Sequence, residues 1–160
     1  MELAKRKQNR LTEYDYSIPH AYFITICTNN RKNLFWMNTG AIVHGTKDIP
    51  LSRYGMLVEE SIKEISKHYP TVSVDNYAIM PDHVHLLLQI HTDCDGNAMN
   101  APTISTVVRL MKGSVSKQAG FSVWQKGFHD HIVRNEEDYQ EIWKYITGNP
   151  LRREEKSYIH

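Results

Sequence analysis

Two histidines one residue apart, His83 and His85, and a tyrosine far downstream, Tyr145, are the side chains of this sequence best suited to chemistry. Alternate residues of an extended strand share a face, so His83-Val84-His85 presents two imidazoles that can reach one ion. With nine histidines in the chain such a spacing arises readily by chance, and His129-Asp130-His131 repeats it. The first pair stands out by its setting. Val84, Leu86, Leu88 and Ile90 fill one face of the strand, whereas His83, His85, Leu87 and Gln89 fill the other. A purely structural pair of sheet histidines is the alternative. Tyr145 sits in a segment whose apolar stripe reads Tyr139, Ile142, Trp143 and Ile146, and it lies off that stripe, near Asp138, Glu141 and Asn149. That position suits an amphipathic surface as well as an exposed nucleophile. Asn149 shares the side of Tyr145 if the helix continues four residues, but Gly148 and Pro150 equally make it a terminator.

The elements that must hold these residues follow from periodicity. Tyr22 to Thr28, rich in β-branched and aromatic residues, predicts a strand. Leu51, Tyr54, Val58, Ile62, Ile65 and Tyr69 recur at helical spacing up to Pro70. Thr71 to Met80 and His83 to Ile90 form two strands around the turn Pro81-Asp82. A second helix starts near Thr103 and buries Ile104, Val107, Val108, Met111 and Val115. Trp124 to Arg134 reads as a fourth strand region. Asn135 followed by Glu136, Glu137 and Asp138 then opens a third helix, a capping side chain ahead of acids at the positive dipole end. The order β-α-β-β-α-β-α predicts an α+β fold, a ferredoxin-like split βαβ arrangement with an antiparallel sheet and an added C-terminal helix carrying the tyrosine. One domain over residues 1–160, with its core at about 10–153, is expected.

Composition narrows the partners. A chain of 160 residues with 41% hydrophobic and 23% charged side chains is ordinary for a globular domain. The net charge of +1 hides an uneven distribution. Lys5, Arg6, Lys7 and Arg10 crowd the start, and Arg109, Lys112, Lys117, Lys126 and Arg134 face the single acid Asp130 in their span. Those five are candidate phosphate contacts, and Phe128 or Trp124 is a candidate stacking surface, though either also suits a core. Cys27 and Cys94 offer neither a paired-cysteine metal motif nor a disulfide framework, which fits a reducing, cytoplasmic setting. No signal peptide or membrane span is expected.

The stretches MPDHVHLLLQI (Met80 to Ile90), WQKGFHDHIVRNEEDY (Trp124 to Tyr139) and YITGNP (Tyr145 to Pro150), with YDYSIPHAYFITICTNNR (Tyr14 to Arg31), closely resemble the single-tyrosine HUH transposases. Within them the likeness is greatest to the REP-associated tyrosine transposases, which act on palindromic repeats. The resemblance implies metal ligation by His83 and His85, a nucleophilic Tyr145, and a third ligand at Asn149, where the wider family has glutamine. It implies magnesium or manganese as the divalent ion and single-stranded or hairpin DNA as the substrate, with the protein working as a monomer or a homodimer. His129 and Asp130 fall in a motif typical of the branch, and support behind the ligands or contact to DNA are the roles open to them.

A covalent phosphotyrosine conserves the energy of the phosphoester for rejoining, which activated water would lose. The expected reaction is therefore in-line attack by Tyr145, giving a 5′-phosphotyrosine and a free 3′-hydroxyl. Two rivals remain at this level. A ferredoxin-like sheet is also the scaffold of RNA-recognition domains, so a hairpin-binding protein without activity is one. A zinc hydrolase built from His83, His85, His129 and His131 is the other.

Overall fold

The computed structural model describes residues 20–37, 50–91 and 102–148. Strand β1 (His20–Cys27) is followed by helix α1 (Arg53–His68), strands β2 (Val72–Ile79) and β3 (His83–Ile90), helix α2 (Ile104–Ala119), strand β4 (His129–Ile132) and helix α3 (Glu136–Gly148). The sheet runs β2-β3-β1-β4, and every neighbouring pair is antiparallel. This is the ferredoxin-like order expected, with β3 and β1 in the centre.

Side-chain alternation divides the sheet into two faces. Ile24, Ile26, Val84, Leu86 and Leu88 point toward α1 and α2 and join Val58, Ile62, Val107, Val108, Met111 and Val115 in the larger core. Phe23, Ala78 and Leu87 point the other way and meet Ile142 and Ile146 of α3 in a smaller cluster. Short polar side chains start the helices. Ser52 and Thr103 accept hydrogen bonds from the amides of Gly55 and Thr106, at 3.0 and 3.1 Å. Asn135 Oδ1 does the same for Asp138 N at 2.8 Å, satisfying an amide that the helix itself leaves unbonded.

Two expectations need correction. The fourth strand does not run from Trp124 to Arg134, because ladder pairing is confined to His129–Ile132. Trp124 forms an isolated antiparallel bridge with Thr28, but Gly127 takes a positive φ of 80° and the carbonyls of Gln125 and Gly127 are both bonded to Lys112 Nζ at 2.9 Å, so the chain between that bridge and His129 loops along α2. The stripe of α3 is also different. Ile142 and Ile146 are buried, but Trp143 is 38% exposed and Tyr145 is half-buried against the smaller cluster. At roughly 100° per residue, Trp143 and Tyr145 lie about 80° to either side of the Ile142–Ile146 direction, so the helical wheel cannot choose between them.

The contacts of α3 with β2 make the choice. A register shift between Val74 and Asn76 brings Asp75 and Asn76 to the helix. Tyr139 Oη donates to Asp75 Oδ2 at 2.6 Å. Asn76 Nδ2 donates to Thr147 Oγ1 at 3.1 Å and to the Trp143 carbonyl at 3.4 Å. One irregularity of an edge strand thus grips α3 on both sides of Tyr145.

Candidate active site

His83 and His85 lie on the α3 side of β3, with ring centroids 4.7 Å apart. The ring of Tyr145 stands edge-on to His85, centroid to centroid 5.4 Å, and Phe23 packs against both, 5.3 Å from His85 and 6.1 Å from Tyr145. Residues about sixty positions apart in the chain therefore meet at one spot, where β3 passes under the second half of α3.

Each histidine has one ring nitrogen committed. Nδ1 of His83 lies 2.7 Å from Asp82 Oδ1, and the other oxygen of that carboxylate accepts from Arg31 Nε at 3.0 Å. Despite the partial burial of Asp82, the bonds from His83 and Arg31 hold its carboxyl down at about 2. Nδ1 of His85 lies 3.0 Å from Thr25 Oγ1 across the β1–β3 pair. In both rings Nε2 remains for a further partner, the arrangement in which a bonded Nδ1 fixes the ring and leaves Nε2 as the ligand.

His85 is 1% exposed and its Nε2 is a buried polar atom with no hydrogen-bond partner. Burial, assisted by the neighbouring His83, lowers its pKa to about 3, so the ring is neutral. A buried polar atom left unpaired costs about 1–3 kcal/mol. In the tautomer that donates from Nδ1 to Thr25, that nitrogen carries a lone pair suited to a cation. The chemistry of the two imidazoles therefore fits a divalent ion. Among the described residues no group of three or more histidine, cysteine, aspartate or glutamate side chains is placed to hold a metal. Asn149, the expected third ligand, lies outside the described residues.

The remaining expected site residues separate into groups. Arg109, Lys112 and Lys126 line one cavity together with Trp124 and Phe128, whereas Lys117 and Arg134 do not line it. Lys112 is partly committed, since its ammonium bonds to two carbonyls, and burial lowers its pKa. Trp124 is a core residue, 6% exposed, and Phe128 is partly buried against the larger core. On β4, His129 pairs with Thr25 and so faces the side of His85, while Asp130 pairs with Ile24 and faces the other side. An outer-sphere role for Asp130 behind the histidines does not fit that register. His131 Nε2 lies 2.9 Å from Asp138 Oδ2, and β1 separates β4 from β3. A four-histidine zinc site is therefore not assembled.

Two supporting residues escaped the reading of the sequence. Asp82 looked like half of a turn and Thr25 like one more β-branched strand residue. The available signals were an acid directly before the first histidine and a lone hydroxyl in an apolar run.

A ferredoxin-like sheet with paired histidines on a central strand, overlain by a helix bearing a tyrosine, defines the class: an α+β domain with a tyrosine–histidine cluster on its open face. The chain belongs to the family described as "Transposase IS200 like", whose pattern matches residues 17–149. It is 32% identical to an uncharacterised protein of Haemophilus influenzae over 91% of this chain and 88% of that one. It is 24% identical to the REP-associated tyrosine transposase of Escherichia coli K12 over 73% of this chain and 66% of the other. Among solved structures, a REP-associated tyrosine transposase bound to a REP hairpin shares the fold, with a TM-score of 0.62 at 21% identity, over 89% of this chain and 74% of that one. No helix among the described residues is long and apolar enough to cross a membrane.

Proposed function

We propose that this transposase-family chain nicks and rejoins single-stranded DNA beside a hairpin, with Tyr145 as nucleophile. The observation that carries the reading is the edge-on clustering of Tyr145, His85 and His83, at 5.4 and 4.7 Å between successive ring centroids. The hairpin-bound relative shares this fold, and a hairpin with an adjoining unpaired strand offers the bendable backbone that a phenol on a rigid helix needs.

In the proposed step Tyr145 Oη attacks the scissile phosphorus in line. The phosphorus–O3′ bond breaks, the phenol gives up its proton as the 5′-phosphate is joined to the tyrosine, and the departing 3′-oxygen takes up one proton to become a hydroxyl. One ester replaces another, so that hydroxyl can attack back and restore the strand. A divalent ion, magnesium or manganese, held by His83, His85 and Asn149, would supply charge stabilisation to a phosphate oxygen. Thr25 and Asp82 orient the two imidazoles, Phe23 excludes water beside them, and Asp75 and Asn76 hold α3 so that Tyr145 stays over its own strand. The reading assigns all of these roles to one chain.

The test is a labelled hairpin oligonucleotide with a single-stranded arm, incubated with protein and manganese and resolved under denaturing conditions. A protein–DNA adduct lost completely in Tyr145→Phe supports the reading. Cleavage that survives Tyr145→Phe would show a water nucleophile, and binding without any adduct would show a hairpin-binding protein.

A further inference from the structure

A second site lies on the opposite face of the sheet, between α2 and the segment Ser122 to Phe128. It is a cavity of about 450 Å³. Arg109 and Lys126 are exposed on its rim, Lys112 ties its outer wall to α2, and Trp124 and Phe128 supply aromatic surface. No carboxylate is among its lining residues.

Three features mark it as built to receive something. The first is the charge: two exposed cations and a third, part-buried one surround an aromatic floor, the combination that takes a phosphate at one end and a flat ring at the other. The second is Gly113, in the middle of α2. A Cβ built there meets nothing within 4 Å, and its φ is not positive. Neither packing nor backbone geometry calls for glycine, which weakens a helix relative to alanine; what its missing side chain does is keep this wall of the cavity open. The third is Trp124 Nε1, a buried donor in a lining residue that has no acceptor.

The cavity also lies one residue along the chain from the tyrosine face. Phe128 packs toward the larger core, whereas the next residue, His129, pairs with Thr25, the partner of His85. Since β4 is the edge strand, a nucleic-acid strand crossing that edge passes from the cavity to the histidines.

Building on the proposed DNA-nicking activity, we infer that this cavity holds one unpaired nucleotide of the DNA strand, with its base against Phe128 and Trp124 and its phosphate on Arg109 and Lys126. It acts as an anchor a short distance along the strand from the scissile phosphate.

The experiment measures binding alone, in the Tyr145→Phe chain without metal, by fluorescence anisotropy. The probes are a labelled oligothymidylate and an abasic chain of the same length and charge. The unpaired-nucleotide site predicts about tenfold tighter binding of the oligothymidylate. Gly113→Leu fills the cavity while favouring the helix, and it should erase most of that preference with no loss in melting temperature. Arg109→Glu with Lys126→Glu should weaken both probes by about tenfold or more. Equal affinity for the two probes, or a Gly113→Leu chain that keeps the preference, overturns the inference. Competition by free thymidine monophosphate at the affinity of the oligomer would assign the cavity to a soluble nucleotide and overturn it as well. None of these outcomes depends on cleavage, so a failed adduct test with Tyr145 and a failed base preference are separate results.

Discussion

The two faces of the sheet are made by alternate residues of the same strands, yet they differ in almost every physical respect. Toward α1 and α2, β1 and β3 present Ile24, Ile26, Val84, Leu86 and Leu88, all buried among aliphatic neighbours. Toward α3 they present Thr25, His83 and His85, with Ala21, Phe23 and Leu87 as apolar partners in the smaller cluster. The first face is where burial of apolar area stabilises the fold. The second carries a network of hydrogen bonds and, within it, an unpaired imidazole nitrogen, which costs stability unless a ligand completes it. The difference teaches that β3 serves as foundation and active surface at once, with a one-residue step separating the two.

The largest effect should follow from disturbing the closed face. Leu86 is 1% exposed, and Leu86→Ala removes buried methyl groups and leaves a cavity, a loss of about 2–5 kcal/mol. Urea unfolding should show that loss, with cleavage per folded molecule retained at low temperature. A change confined to activity, with unfolding unaltered, would mean that the two faces are not divided as described. One residue away, the sign reverses. The double change Thr25→Val and His85→Leu removes the orphaned Nε2 and also the Thr25 hydroxyl that was bonded to Nδ1 of the same ring, so no new unpaired group is left. It should stabilise the protein by roughly 1 kcal/mol, up to the 1–3 kcal/mol that an unpaired buried group costs, while abolishing metal-dependent adduct formation. A double variant that unfolds more easily than the parent would show that His85 is held for packing.

How much of this was legible in the sequence depends on how local the determinant is. The two-sided character of β3 is local: the alternation of apolar residues with His83, His85 and Gln89 specifies which residues share a face, and the strand runs from His83 to Ile90 as its pattern says. The order of elements was readable for the same reason. The rotation of α3 was not, because Trp143 and Tyr145 flank the buried stripe symmetrically. The choice is made by Asp75 and Asn76, at an irregularity of β2 about seventy residues away. The length of β4 was hidden too, since the pull of Lys112 on the Gln125 and Gly127 carbonyls is a tertiary contact. Among the five candidate phosphate contacts, three share a cavity because α2 lies beside the Ser122 to Phe128 segment, which no charge count reveals.

The smallest effect provides the finest comparison, because each face has a tyrosine bonded to a carboxylate. On the α1 side Tyr77 Oη donates to Glu59 at 2.9 Å, and on the α3 side Tyr139 Oη donates to Asp75 at 2.6 Å. Burial first, and then the carboxylate partner, raises each phenol to about 12. A raised value means that the protonated form is favoured by folding. Each bond therefore stabilises fully below the ordinary tyrosine value near 10 and is lost as pH rises through about 12. Tyr77→Phe and Tyr139→Phe should each cost about 1 kcal/mol at neutral pH, and that deficit should shrink relative to the parent as the medium passes from about pH 10 to 12. Only one of them should touch function. Tyr139 fixes the helix that carries Tyr145, so Tyr139→Phe should slow adduct formation by about three- to tenfold at neutral pH, through looser placement of the attacking oxygen. Tyr77→Phe, equal in stability loss, should leave the rate unchanged. Equal rate losses in both variants would mean that cleavage follows global stability, and the division of labour between the faces would fail with it.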